Sequence, residues 1–335
     1  VDHPTATPSI LAMADLATPM SIRVAATLGL VERAGSGGAT AAQLAAETGT
    51  SAPALRRMLD HLVTVGVFDV DPDSGRYRPT GLGAQMSADA PQGVKPLLDI
   101  TCAGGRAELA FVDLLETITT DSPAYVRRYG RDFWADLEAD PKLRSSFDAQ
   151  MEWRFQAHAP QIADRFDWGR FTEILDVGGG DGNLLAAILR AHPGVRGRVL
   201  DYAPSVAAAA SRFEAAGLAD RAGAVSGSFF DPLPEGADAC LLSDILHDWD
   251  DENSRKILAG CRQAVTPNGT VVVIEPVRGR GDSTGIDLFM LMCFGGRERT
   301  VEELAELAAG CGLELAGSGP VSEGRTALEF RVSTS

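Results

Sequence analysis

At residues 173–182 the chain reads EILDVGGGDG, and this stretch decides the fold. A short apolar run breaks into a glycine-rich turn, and NLLAAILRA follows with apolar residues at helical spacing. A strand that passes through glycines into a helix brings backbone close to a ligand at the strand's carboxyl edge. A dinucleotide fingerprint requires GxGxxG, but here Gly178 and Gly180 are followed by Asn183, and the glycines continue at Gly182. The pattern is DxGxGxG from Asp176, which favours S-adenosylmethionine (SAM) over a nicotinamide dinucleotide.

Downstream of Trp168, short β-branched runs alternate with amphipathic helices, the signature of a parallel sheet covered on both faces. The spacing predicts strands at 173–177, 197–202, 222–228, 239–243, 270–277, 313–321 and 326–332, the last two as an antiparallel hairpin. Asp201 closes the second strand, where an acid accepts hydrogen bonds from both ribose hydroxyls of an adenosine. GSFFDP at 227–232 ends the third, placing Ser228 at an adenine edge and Phe229 against its face, with Trp249 as the other wall.

The fourth strand runs into LLSDILHDWDD at 241–251, so His247 stands on the same rim as the glycines. Methyl transfer to a phenol requires loss of a proton with a free pKa near ~10, and an imidazole with a pKa near ~6.5 accepts it at neutral pH. His247 is therefore the candidate base. Glu275, after TVVVI, and Glu298, in GGRERT, are alternative partners to fix its tautomer. Asp248, Asp250 and Asp251 read as the acidic start of a helix. No second histidine or cysteine lies at ligand spacing, so no metal is expected.

Upstream, apolar residues from 9 to 33 recur at helical spacing, and Pro19 predicts two helices with a bend. Residues 40–49 and 51–65 open with the caps Thr40 and Ser51, and a turn at 71–75 joins 67–70 to 76–79 as a hairpin. Together these make a winged helix. Its recognition-like helix carries only Arg56 and Arg57 as basic residues, beside Asp60, which argues against DNA. Helical patterns bridge the two ends, giving a division into 1–95, 96–167 and 168–335.

The formal charge of −16 repels phosphate backbones and anionic lipid, so nucleic acid and membrane are poor partners, and a small neutral or cationic ligand fits better. No apolar stretch of 18 residues and no signal peptide are expected. The five cysteines show no CxxC spacing, which predicts reduced thiols and a cytoplasmic protein.

DVGGG, LHDWDD and GGRER together resemble the small-molecule O-methyltransferase family typified by plant caffeic acid O-methyltransferase and by bacterial aromatic-polyketide enzymes. GSFFDPLP and MLMCFGGRER are most similar to the naphthoate O-methyltransferases of enediyne biosynthesis. The resemblance spans nearly the whole chain. It implies an α/β class I (Rossmann-like) methyltransferase domain behind a winged-helix-like dimerisation domain, a homodimer with interlocked N-terminal helices, and a polycyclic aromatic acceptor. It further implies His247 as base flanked by Glu275 and Glu298, and a SAM pocket lined by Asp176, Gly178, Gly180, Asp201, Ser228, Phe229, Ser243 and Trp249. The acceptor is expected against Phe147, Met151, Asp287, Met290 and Phe294. Where the plant pattern has an acid and a lysine, this chain has Ser228 and Ser243, so hydroxyls must make the adenine contacts. A rival within the family binds SAM without transferring its methyl; a rival outside it is a ligand-sensing repressor.

Overall fold

The computed structural model describes residues 9–91, 93–281 and 284–333. The chain divides into two compact units, Val1–Leu109 with Asp140–Gln150, and Ala110–Ala139 with Met151–Ser335.

In the first unit, the helices Ala41–Thr48 and Ala52–Thr64 meet at Gly49, and strands β1 (Ala39–Thr40), β2 (Phe68–Val70) and β3 (Arg76–Pro79) form a small antiparallel sheet in the order β1-β3-β2. Thr40 caps its helix in both directions: its hydroxyl accepts from Gln43 N–H, and the Gln43 side chain accepts from Thr40 N–H at 2.9 Å. Ser51 makes no such side-chain bond, and Pro53 instead starts the second helix. Leu44, Leu55, Leu59, Leu62 and Phe68 bury the inner faces.

The N-terminal segment corrects two expectations. It forms three helices, Ile10–Met13, Ala17–Thr27 and Leu30–Ala34, and the first break falls before Pro19. The Asp15 carboxylate accepts from Ala17 N–H at 3.1 Å and Thr18 N–H at 2.9 Å, which starts the second helix; Pro19 then sits in its first turn, where a missing N–H costs nothing. Residues Ile10–Thr27 also reach a mean hydropathy of 1.2 over 18 residues, so a long apolar segment does exist, interrupted at residues 14–16.

The second unit is built on a seven-stranded sheet: β4 (Glu173–Val177), β5 (Arg196–Asp201), β6 (Ala222–Ser226), β7 (Ala237–Ser243), β8 (Val265–Glu275), β9 (Leu313–Ser322) and β10 (Arg325–Val332). Their order is β6-β5-β4-β7-β8-β10-β9, parallel from β6 to β8, with the hairpin β9–β10 added antiparallel. Helices such as Asn183–Ala191 and Asp251–Ala264 bury apolar faces on the sheet, giving two cores on its opposite faces. Strand order reverses between β4 and β7, so the chain leaves these neighbours in opposite directions and a crevice opens at their carboxyl ends.

The helix Val301–Ala309 follows the GGRER loop and is fixed by a capping box between Thr300 and Glu303. Thr300→Ala is expected to lower stability by about 1 kcal/mol, read as a fall in the denaturation midpoint at unchanged slope.

Candidate active site

The glycine turn after β4 is shaped by contact and by charge. Gly178 has φ +74°, and a Cβ there would stand 2.6 Å from Ile245 Cδ1, so only glycine keeps the turn against the next loop. Gly180 N–H donates to Asp201 Oδ2 at 2.9 Å, and Tyr202 N–H donates to Oδ1 at 2.7 Å. Asp201 thereby ties the end of β5 to the turn. Beneath lies Asp176, whose Oδ2 is buried without a partner and whose carboxyl is pushed up to about 8 by burial and by Asp201 and Asp181.

Ser243, last in β7, also holds a buried hydroxyl without a partner. Ser228 accepts from Phe230 N–H at 3.2 Å and closes its own turn. Phe229 would stand 3.6 Å from a Cβ at Gly178, so its ring borders the turn. Trp249 departs from its expected place: it meets Phe229 edge-on at 5.8 Å and 80°, and is not a parallel second wall. Orphaned polar atoms on Asp176 and Ser243, an aromatic ring beside them and an acid at the second strand's end fit an adenosyl ligand.

Beyond β7 the backbone turns through Asp244, whose φ of +53° is unusual for a side-chain-bearing residue, and reaches the short helix Leu246–Asp248. His247 is 2% exposed, and burial pushes its imidazole down to about 4. Nδ1 has no partner, and Nε2 lies 3.5 Å from Asp248 Oδ1. Neither Glu275 nor Glu298 is within ion-pair distance of the ring; the neighbouring carboxyl is Asp248, read from the sequence as part of a helix start. Asp250 is the actual cap, accepting from Asn253 N–H at 2.8 Å. Burial and Asp244 raise Asp248 well above the ordinary carboxyl range.

Glu275 ends β8, wholly buried with both oxygens unpartnered, and burial pushes it up to about 8 against the pull of Arg299. Glu298 is raised by burial and by Asp287, while its N–H donates to Asp287 Oδ1 at 2.8 Å. Asp287 thus braces the Glu298 loop. Met290 is buried, and Phe294 stacks on Trp134 at 5.4 Å and 18° and takes the Phe133 and Phe289 rings on edge. Met151 is half-buried on the helix Pro141–Arg165; Phe147, on the same helix, belongs to the first unit.

Sequence reasoning missed what holds the histidine. Fully buried Arg299 donates from Nη1 to Leu246 O at 2.9 Å and from Nη2 to Trp249 O at 2.7 Å, clamping the backbone on either side of His247, and pairs with Asp251 at 2.9 Å. Gly296 lies against the same backbone: a Cβ there would stand 2.1 Å from His247 O. The GGRER motif, which holds both Gly296 and Arg299, could have signalled this support. Asp244, Arg154, Arg325 and His158 carried no motif signal beyond the position of Asp244 in SDILHDW.

A glycine turn at a switch point, in a sheet of order β6-β5-β4-β7-β8-β10-β9 closed by an antiparallel hairpin, fits the class I methyltransferase fold. Residues 111–314 match the O-methyltransferase domain and residues 11–89 the O-methyltransferase dimerisation domain, so the chain belongs to the O-methyltransferase family. It is 46% identical over 312 residues to a 2,7-dihydroxy-5-methyl-1-naphthoate 7-O-methyltransferase of Streptomyces carzinostaticus, covering 93% of this chain and 94% of that protein. It is 43% identical over 328 residues to aclacinomycin 10-hydroxylase RdmB of Streptomyces purpurascens, covering 96% and 87%. Among solved structures, NcsB1, an O-methyltransferase from neocarzinostatin biosynthesis with SAM and 2-hydroxy-5-methyl naphthoic acid bound, superposes with a TM-score of 0.92 at 45% identity, covering 98% of this chain and all of that one.

Two outcomes follow from the geometry. Gly296→Ala forces the His247 loop to shift, and kcat should fall roughly 10²-fold with the circular dichroism spectrum intact. Glu275 has its folded pKa raised from 4.5 to about 8, so its contribution to stability is full below 4.5 and lost as pH rises towards 8. Glu275→Gln should therefore gain on the wild type across that window, at up to about 1.4 kcal/mol per pH unit in denaturant titrations.

Proposed function

We propose that this protein is a SAM-dependent O-methyltransferase acting on a phenolic hydroxyl of a polycyclic aromatic natural product of naphthoate or anthraquinone type, with His247 as general base. The observation that carries this reading is a single one: a buried imidazole, kept neutral by its surroundings and with a free ring nitrogen, stands on the rim where the glycine turn opens. The likeness to a naphthoate enzyme supports the acceptor class.

Asp201, Ser228, Phe229 and Ser243 would hold SAM, which when bound supplies a methyl group on a sulfonium. The chain's own work is proximity and proton removal: the rim orients the acceptor hydroxyl, and His247 takes its proton. Glu275 and Glu298 flank the base within the same pocket, and either can settle against its imidazole when the acceptor seats. Met290 and Phe294 present apolar surface to a flat ring system. The dimerisation-domain match and the exposed Ile10, Leu11, Met13 and Leu16 support a homodimer. The five free cysteines accord with a cytoplasmic location.

A second reading draws on the 43% identity to a hydroxylase: a protein that binds SAM without transferring its methyl. Mass spectrometry after incubation with labelled SAM and a panel of hydroxylated naphthoates and anthraquinones separates the two. One methyl transferred by the wild type, and a rate reduced roughly 10²–10⁴-fold in His247→Ala, is the expected result. SAM binding with no transfer to any acceptor favours the second reading. Because the folded His247 titrates at about 4, the acid limb of kcat/KM should lie well below the usual histidine value of 6.5.

A further inference from the structure

The loop that carries His247 is rooted by a side chain as well as by its backbone. Its first residue, Asp244, follows β7, and Asp244 N–H donates to Ile274 O at 2.8 Å, which sets it beside the end of β8. Along the other flank of β8 runs β10, where Thr326 pairs with Glu275. A register shift against β9 falls between Arg325 and Thr326, and such a bulge re-aims a side chain. Arg325 reaches the Asp244 carboxylate, donating from Nε at 3.2 Å to each oxygen and from Nη2 at 2.7 Å. The two side chains are only 5% and 6% exposed. Arg154 adds an ionic contact to Asp244 at 3.5 Å, and Arg325 Nη1 donates to His158 Nε2 at 3.0 Å, which fixes the far side of the guanidinium.

Backbone shape does not ask for a charge at this position. Asparagine and glycine meet a φ of +53° at least as readily as aspartate, and burial favours a neutral side chain. The chemistry of the neighbouring base does ask for one. When His247 takes the acceptor's proton, an N–H bond forms as the O–H bond breaks, the electron pair stays on the acceptor oxygen, and the ring becomes a cation. Arg154, Arg325 and Arg299 all act against a proton there, and Asp244 is the carboxylate that acts for it. The other acids of the pocket are less able to: burial shifts Asp248, Glu275 and Glu298 towards their neutral forms, and Asp251 is shared by Arg297 at 3.2 Å and Arg299 at 2.9 Å. His158, behind Arg325, is itself pushed towards its neutral form by burial.

We propose that Asp244 is a positioning residue for the proton transfer: held by Arg325 at the root of the loop, it presents to His247 the carboxylate that lets the ring become a cation among guanidiniums. This rests on the reading of His247 as the base of a methyltransferase. It adds a counter-charge that is in place before the acceptor seats. In a site withdrawn from water, a fixed anion of this kind needs no rearrangement at the moment the proton moves.

The test compares full-length wild type with Asp244→Asn, using labelled SAM and 2,7-dihydroxy-1-naphthoic acid. An opposite charge at close range alters proton affinity by about 1–3 pKa units, so kcat should fall roughly 10–100-fold, while KM and the dissociation constant of S-adenosylhomocysteine hold within about twofold. Ring 15N shifts of histidine-labelled protein give a second readout, the His247 signal being assigned by its loss in His247→Gln. In Asp244→Asn the ring should stay neutral across roughly pH 5–8, as in the wild type, because losing a carboxylate pushes its proton affinity further down. A loop merely loosened would expose the ring and bring its titration back to about 6.5. Should Asp244→Asn fail to fold, Asp244→Asn combined with Arg325→Gln removes both buried charges, and its kcat should remain roughly 10-fold below the wild type. Unchanged kcat in either variant, or a fall accompanied by a ring titrating near 6.5, overturns the proposal. Wild type that methylates no acceptor sinks the methyltransferase reading itself, whereas methylation at equal kcat in wild type and Asp244→Asn sinks only the role of Asp244.

Discussion

Every functional group in this protein is where it is because two parallel neighbours, β4 and β7, send the chain away in opposite directions. A helix can cover the space above a strand pair only if the connection returns over it, and at a reversal of strand order neither connection does. The gap is then open to a ligand by construction. Gly178, Asp176 and Ser243 line it as consecutive consequences of the sheet register, and His247 reaches it because the loop after β7 must turn back across the rim.

That rim is an unusual electrostatic environment. Carboxyls on Asp176, Asp248, Glu275 and Glu298 are all shifted towards their neutral forms, while Asp244 is held ionised, against burial, by the guanidiniums of Arg325 and Arg154. Removing charges from water is costly, so the pocket keeps few and pairs them tightly. With the imidazole pushed towards its neutral form and these carboxyls shifted upward, much of the field is left to be set by the ligands that enter. The left-handed backbone at Asp244 is held by this same ion cluster, which ties local strain to the function of the site.

Much of this was legible before any coordinates. Hydrophobic period and glycine spacing located all seven strands of the large sheet, because each strand is a short run bounded by turn residues. The exception at β8 is instructive: TPNG at 266–269 reads as a turn, so the strand was expected from Thr270, yet the backbone stays extended from Val265, which pairs with Ala237. Strand ends set His247 and Glu275 on one rim in the sequence reading, and Glu298 was assigned there from its loop before the next helix. Their hydrogen-bond partners were not, since pairing depends on ångström-scale loop geometry. Arg299 was read only as a letter of GGRER, because the two bonds that clamp the His247 loop go to backbone carbonyls, which leave no trace in side-chain identity. Arg154 and Arg325 lie 171 residues apart in the chain and meet only through the fold.

The hairpin at the sheet's end has an implication for behaviour at high concentration. β9 pairs with β10 alone and presents its other edge outward, the kind of border along which chains polymerise strand to strand. Its middle residues include Gly317, Gly319 and Pro320, and two register shifts kink the pairing with β10 near Arg325 and Phe330. Proline offers no N–H, glycine weakens an extended template, and bulges twist the border away from flatness. Association through this border is discouraged by the same covalent features that end the sheet.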